Sequence, residues 1–230
     1  MADAMGHIGV IFDCDGTLLD SMDAWREVEA ALAERAGAQL TARDADELGP
    51  LTIPEAGVFF HERFGLGGSP EEVVGMIDEL MLAFYRERSH ERPGALAFVQ
   101  GLHAAGVRLS VASSSPQEYL QAGLAHTGFL PYLDAVLSVN DVNSSKREPV
   151  VYDRARELMG TPLETTWGFE DSLFALKTLC AAGYRTVGIY DNDIAGTLAD
   201  LTATADLAIT SFQNLPVNHF LKLANERRAC

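Results

Sequence analysis

Asp13 and Asp15 directly follow the apolar run Ile8-Gly9-Val10-Ile11-Phe12, with one residue between them and Gly16-Thr17 after them. An apolar run of this length, stopped by Asp-Cys-Asp-Gly, reads as a buried strand, and the carboxyl end of such a strand is where open parallel sheets bind ligands. Side chains alternate along a strand, so acids two positions apart share one side and one small volume while Cys14 turns inward. Two like charges held that close are tolerated when a cation lies between them or when one keeps its proton. Both solutions suit phosphoryl transfer. A divalent metal held by Asp13 neutralises a phosphate, and a protonated acid serves the leaving group. Gly16 permits a tight backbone turn beside that phosphate and Thr17 adds a hydroxyl. Taken alone, the tripeptide also fits a turn carrying two solvated carboxylates.

Further along the chain, other element ends carry groups of related chemistry. Ser113-Ser114-Ser115 ends the run Arg108-Leu109-Ser110-Val111-Ala112 and precedes Pro116-Gln117-Glu118. Ser115 and Glu118 read as a capping box with Pro in the first turn, which assigns Ser115 to the helix cap. Ser113 and Ser114 then stand where a phosphate meets hydroxyls, free backbone N–H groups and a helix dipole. Glu170 and Asp171 end the run before Ser172, either with Asp171 or Ser172 as an N-terminal helix cap or with the two acids as metal ligands. Lys146 precedes Pro149 and Tyr152 at the opening of a helix, as a solvated charge or as a counter-charge to an anionic site.

In this order the stretches resemble the motifs of the haloacid dehalogenase-like (HAD) superfamily, most of whose members are phosphatases. Asp13 to Leu18 is similar to its opening Asp-x-Asp-Gly-Thr-Leu, Ser113 to its second motif, Lys146 with Pro149 and Tyr152 to its third, and Glu170-Asp171-Ser172 to its fourth. The resemblance covers residues 8 to about 190. Two positions depart from the pattern: Arg147 stands where the family usually has Pro, and Ala175 where it often has Gly. The resemblance implies that Asp13 attacks phosphorus to give an aspartyl-phosphate, with Asp15 as acid and then base. It implies Mg2+ held by the Asp13 carboxylate, the Asp15 backbone carbonyl, Asp171 and Glu170, the last directly or through water. Gly16, Thr17, Ser113, Ser114 and Lys146 would hold the phosphate. The expected activity is hydrolysis of a small sugar or polyol phosphate. The alternatives are a sugar-phosphate mutase of the beta-phosphoglucomutase type, whose His shortly after the first motif has no counterpart over Asp20 to Trp25, and a phosphoacceptor without turnover, which would have no use for Asp15. A dehalogenase would leave both Asp15 and the metal set unexplained.

Positioning these residues requires a sheet. Strands are expected at Ile8 to Phe12, Val107 to Ala112, Ala135 to Val139, Thr165 to Phe169 and Thr186 to Tyr190, with an edge strand near Leu207 to Thr210. Helices expected over 94–105, 116–126, 149–159 and 172–182 alternate with them, which argues an α/β, doubly wound parallel sheet of Rossmann-like type. Between 22 and 88 the pattern is helical instead. Met22, Trp25, Val28, Leu32 and Ala36 recur at helical steps before Gly37. Thr52 and Glu55 open a second helix, and Ser69-Pro70-Glu71-Glu72 a third. The expected organisation is a core of residues 1–20 and 93–230 with an all-helical insertion over 21–92, which resembles the family's helical cap that closes over the site and selects substrate. The stretch Gly49-Pro50-Leu51-Thr52 lacks Lys and Arg, which hints at a neutral leaving group.

Thirty-three acids against 17 Lys and Arg give a formal charge of -16, which repels nucleic acid and anionic membranes. The expected partner is a small phosphorylated metabolite, with no nucleic acid and no membrane, and the chain is expected to be a monomer or weak homodimer. The three Cys show neither a disulfide framework nor a zinc spacing, the His show no ligand spacing, and no leader or membrane-length run is visible, so a cytoplasmic protein is expected.

Overall fold

The computed structural model describes residues 8–48 and 51–226. Strand β1 (Gly9–Phe12) is followed by helices α1 (Met22–Arg35), α2 (Ala42–Leu48), α3 (Ile53–Phe64) and α4 (Pro70–Glu87). The chain continues through α5 (Ala95–Ala104), β2 (Arg108–Ser113), α6 (Gln117–His126), β3 (Ala135–Ser138), α7 (Val150–Met159), β4 (Thr166–Glu170) and α8 (Leu173–Ala181). It ends with β5 (Arg185–Ile189), α9 (Leu198–Thr204), β6 (Leu207–Ile209) and α10 (Val217–Asn225). Gly49 and Pro50 of the uncharged loop, His7 and Cys230 lie outside the described residues.

The strands form one parallel sheet in the order β3-β2-β1-β4-β5-β6. The winding therefore starts at the centre, runs out to β3, and returns to β1 to run out the other way. That reversal is a topological switch point, and β1, which ends in the paired acids, stands at it. Alternation sorts the side chains. Phe12 and Phe169 face a ring cluster with Phe98, Phe212 and Phe220, in which Phe169 and Phe212 stack at 6.1 Å. Ile11 faces the opposite way, into a core with Val151, Tyr152, Ala155 and Met159 of α7 and Leu179 of α8. Gly168 in β4 also faces α8, and a Cβ there would meet Leu179 Cδ1 at 2.5 Å, so the bare backbone sets the seating of the helix that follows Glu170-Asp171. Ala175 is fully buried in that helix, small enough for the close packing that Gly serves elsewhere.

The chain divides into two compact units, one ending at Asp20 and resuming at Ser89, the other Ser21–Arg88. The first resumes a few residues before 93 because the returning segment is bonded to β1's extension: Asp20 N–H donates to His90 O at 3.0 Å and Arg92 N–H to Leu18 O at 2.8 Å. The second unit holds helices and no strand among its described residues, with α3 packed on α4 and α1 on both. Helix α2 is absent from the sequence expectation. Its start is marked by Thr41, whose backbone N–H and hydroxyl donate to Asp44 Oδ2 at 2.8 and 2.7 Å, and Arg63 of α3 reaches the same carboxylate at 2.5 Å. Among the described residues no helix is long and apolar enough to cross a membrane.

Candidate active site

The backbone first fixes where Asp13 stands. Asp13 N–H donates to Phe169 O at 2.9 Å, so pairing with β4 continues one residue past the end of β1. Gly16 then takes φ +80, a left-handed conformation that a side chain would strain. The turn closes with Leu18 N–H and Leu19 N–H on Cys14 O and Gly16 N–H on Leu19 O, each at 2.9 Å. Cys14 is buried as alternation predicts, and burial pushes its thiol well above the usual range. Thr17 is also buried, and its hydroxyl has no hydrogen-bond partner among the described residues.

By the same alternation Asp13 lies on the side of Ile11, the α7 side, and the segment leading into α7 delivers Lys146. The Lys146 ammonium donates to Asp13 Oδ1 and, at 2.5 Å, to Glu170 Oε1. Tyr152, in the first turn of α7, donates its hydroxyl to the same Glu170 oxygen at 2.7 Å. Arg147 points elsewhere: it is exposed and its guanidinium lies 5.2 Å from the Phe174 ring. The Pro-to-Arg departure therefore does not change which cation meets the acids.

Asp13, Glu170 and Asp171 each place a carboxylate oxygen within 4.8 Å of the others, and none of the three is more than 6% exposed. Burial pushes Asp13 from 3.8 up to about 7, Glu170 and Asp15 adding to the rise while Lys146 opposes it. Asp171 is pushed well up by burial and then by Asp13 and Glu170. Burial alone would depress the Lys146 ammonium, but Asp13 and Glu170 outweigh it and hold its pKa above the ordinary range. Three desolvated carboxylates against one ammonium leave negative charge uncompensated. Glu170 Oε2 is buried with no hydrogen-bond partner among the described residues, an acceptor facing no donor. Oxygen donors, excess negative charge and an orphaned acceptor are what a small hard cation requires, so the residues fit a divalent metal.

This charge balance predicts how the metal-free protein responds to pH. A carboxyl whose folded pKa lies above its unfolded value binds its proton more tightly in the folded state, so Asp13 contributes stability that is present below 3.8 and lost as pH rises through about 7. With chelator present, the midpoint of thermal unfolding should fall between pH 5 and 8, and divalent metal should flatten that fall. A midpoint that rises with pH over the same window would show that the cluster is not under this strain.

The serine loop departs from expectation. Helix α6 begins after Pro116 with no side-chain cap, so Ser115 does not serve as one. Its hydroxyl donates to Asp15 Oδ2 at 2.5 Å instead, and its N–H donates to Ser113 Oγ at 3.1 Å. The helix opens one residue later than the capping signal implies, with Pro116 at the cap position, and the Ser115 hydroxyl is left to meet the carboxylate. Ser113 is buried and Ser114 exposed at the end of β2, which neighbours β1. Ser172, which could have capped α8, makes no side-chain cap. The structure thus brings Asp13, Glu170, Asp171 and Lys146 together and ties Asp15 to Ser115. Sequence reasoning missed Ser115's contact with Asp15 and the hydroxyl of Tyr152 as a partner of Glu170. In the sequence Tyr152 serves only to fix the register of Lys146.

Hexitol phosphatase B of Escherichia coli K12 is 27% identical over 211 residues, covering 89% of this chain and 95% of its own. A phosphorylated carbohydrates phosphatase of Thermotoga maritima is 24% identical over 178 residues, 77% of this chain and 82% of its own. The crystal structure of a beta-phosphoglucomutase from Clostridium difficile is similar in fold, with a TM-score of 0.75 at 15% identity over 94% of this chain and 96% of that one. The family model of haloacid dehalogenase-like hydrolases matches residues 9–183, a span that holds Asp13, Ser113, Lys146, Glu170 and Asp171 in a single run. With β1 through α8 inside that match, the chain belongs to the haloacid dehalogenase-like hydrolases.

Proposed function

We propose that this chain is a Mg2+-dependent phosphatase that hydrolyses a small sugar or polyol phosphate through an aspartyl-phosphate on Asp13. The observation that carries the reading is the bridge of Lys146 between Asp13 and Glu170 inside a carboxylate cluster at adjacent strand ends. The substrate class is supported by the two relatives named for hexitol and carbohydrate phosphates.

Asp13, Glu170, Asp171 and the backbone carbonyl of Asp15 would hold the Mg2+, which when bound supplies positive charge to the transferring phosphoryl group. The Asp13 carboxylate attacks phosphorus as the bond to the leaving oxygen breaks. Asp15 gives that oxygen its proton and later takes one from the water that releases phosphate, work worth about 10^2- to 10^4-fold. Lys146 offsets the charge of Asp13 and of the phosphate together. Ser113 and Ser114, with Gly16 and Thr17, hold the phosphate oxygens, and the unpartnered Thr17 hydroxyl is a donor in want of an acceptor. Uncatalysed monoester hydrolysis is slow enough to need as much as about 10^21-fold acceleration, so these contributions must act together.

A mutase shares the acid pair and the metal set. The distinction lies in water, which a phosphatase admits to the phosphoenzyme and a mutase excludes. The stretch Asp20 to Trp25 has no His, which favours the phosphatase. The purified protein with Mg2+ should release inorganic phosphate from an activated aryl phosphate and from at least one sugar or polyol phosphate, with no bisphosphate primer. Faster conversion of hexose 1-phosphate to hexose 6-phosphate than release of phosphate would establish the mutase. Stable phosphorylation without turnover would establish a phosphoacceptor.

A further inference from the structure

Ser115 is 8% exposed and its hydroxyl reaches Asp15 Oδ2 at 2.5 Å from a different strand end. The serine is itself held, because its N–H donates to Ser113 Oγ and α6 makes no demand on its side chain. A carboxyl swings through a broad range about its last torsion, and a hydroxyl anchored on separate backbone removes that freedom. A short O–H···O bond to a carboxylate is also among the stronger hydrogen bonds.

We propose that Ser115 is the positioning residue for Asp15: by fixing Oδ2 it turns the carboxyl plane so that the proton is delivered to the leaving oxygen. The inference rests on the assignment of Asp15 as acid and base under the proposed function. In the first half-reaction the bond from Asp13 to phosphorus forms as the bond to the leaving oxygen breaks, and the Asp15 proton passes to that oxygen. In the second, water bonds to phosphorus, Asp13 is released as carboxylate, and the water's proton returns to Asp15. A misdirected Asp15 hinders the first half most when the leaving group is a poor one, since an alkoxide needs the proton and a nitrophenolate departs with little help.

The test is the leaving-group dependence of kcat/KM, which reports steps up to formation of the phosphoenzyme. Ser115→Ala should lower kcat/KM about thirtyfold for a simple alkyl phosphate and about threefold for an activated aryl phosphate, against the 10^2- to 10^4-fold scale of general acid catalysis. Ser115→Cys, close in shape but a poor donor, should show the same steepening and serves if the alanine variant does not fold. Ser115→Thr should restore much of the alkyl rate. Equal losses on both substrates, or no loss, would overturn the proposal, because a structural role does not select by leaving group. Asp15→Asn separates the two levels. If it leaves the leaving-group dependence as in the unaltered protein, the acid assignment itself falls. If it steepens that dependence while the Ser115 variants do not, only the role of Ser115 falls.

Discussion

Asp13→Asn should abolish turnover by about 10^5-fold or more, the scale on which removal of a covalent nucleophile acts. The amide neither attacks phosphorus nor serves well as a hard-metal ligand, so the variant loses the phosphoenzyme together with the rate. Intact-mass analysis after acid quench should show no added phosphoryl group. Loss of folding is not the expected cause. In the native site Lys146 bonds both Asp13 and Glu170, so it keeps Glu170 as a partner, and one of three crowded carboxylates becomes neutral. Without metal the variant should therefore unfold no earlier than the native chain at neutral pH, because a desolvated charge under repulsion has been removed. Substantial residual hydrolysis by Asp13→Asn would show that another group is the nucleophile.

The chemistry of this chain was legible where local pattern and backbone geometry agree. Apolar runs stopped by Asp13, Ser113 and Glu170 mark strand ends, because a parallel sheet covered on both faces buries such runs and its polar residues come at the rim. All three residues stand at or just past the ends of β1, β2 and β4. The order β3-β2-β1-β4-β5-β6 was not legible, since it is decided by which helices cover which face. Ser115 shows how a local rule is overridden. Ser-Pro-x-Glu is a sound capping signal, but the helix opens one residue later at Pro116 and the hydroxyl meets a carboxylate 100 residues away in the chain, which only the tertiary structure reveals. Helices α2, α9 and α10 were missed for a different reason. Thr41 with Asp44, Thr197 with Asp200, and Pro216 followed by Phe220, Leu221 and Ala224 carry start signals or periodicity, but short helices beside loops give weak patterns. Lys146 was recovered only because Pro149 and Tyr152 fixed its register. Nothing in its own neighbourhood distinguishes it from Arg147 beside it, which is exposed on the Phe174 ring.

Lys146→Met should separate stability from catalysis at the same position. The ammonium is buried between Asp13 and Glu170, whose Oε1 also accepts from the Tyr152 hydroxyl. Deleting one partner of a buried charge cluster destabilises by about 3–5 kcal/mol when the remaining charges persist. They need not persist. The side chain already pushed up to about 7 loses the cation that opposed the rise, so it holds its proton to still higher pH. The metal-free variant should thus be close to the native chain in stability at pH 5 and well below it at pH 8, because its folded state still holds a proton that its unfolded state has released, and stability is lost with rising pH up to the higher folded pKa. Divalent metal should recover much of the stability at pH 8, since it meets the same carboxylates with positive charge. It should not recover turnover. The phosphoryl group brings negative charge of its own, and removal of a preorganised donor in a dry site lowers kcat by about 10^2- to 10^3-fold. Thermal unfolding with and without Mg2+ at the two pH values, beside turnover on an aryl phosphate, reads both effects. If metal restored turnover and stability alike, Lys146 would be a counter-ion to the carboxylates alone. If the variant matched the native chain in both, the contact between Lys146 and Asp13 would carry no weight in the chemistry.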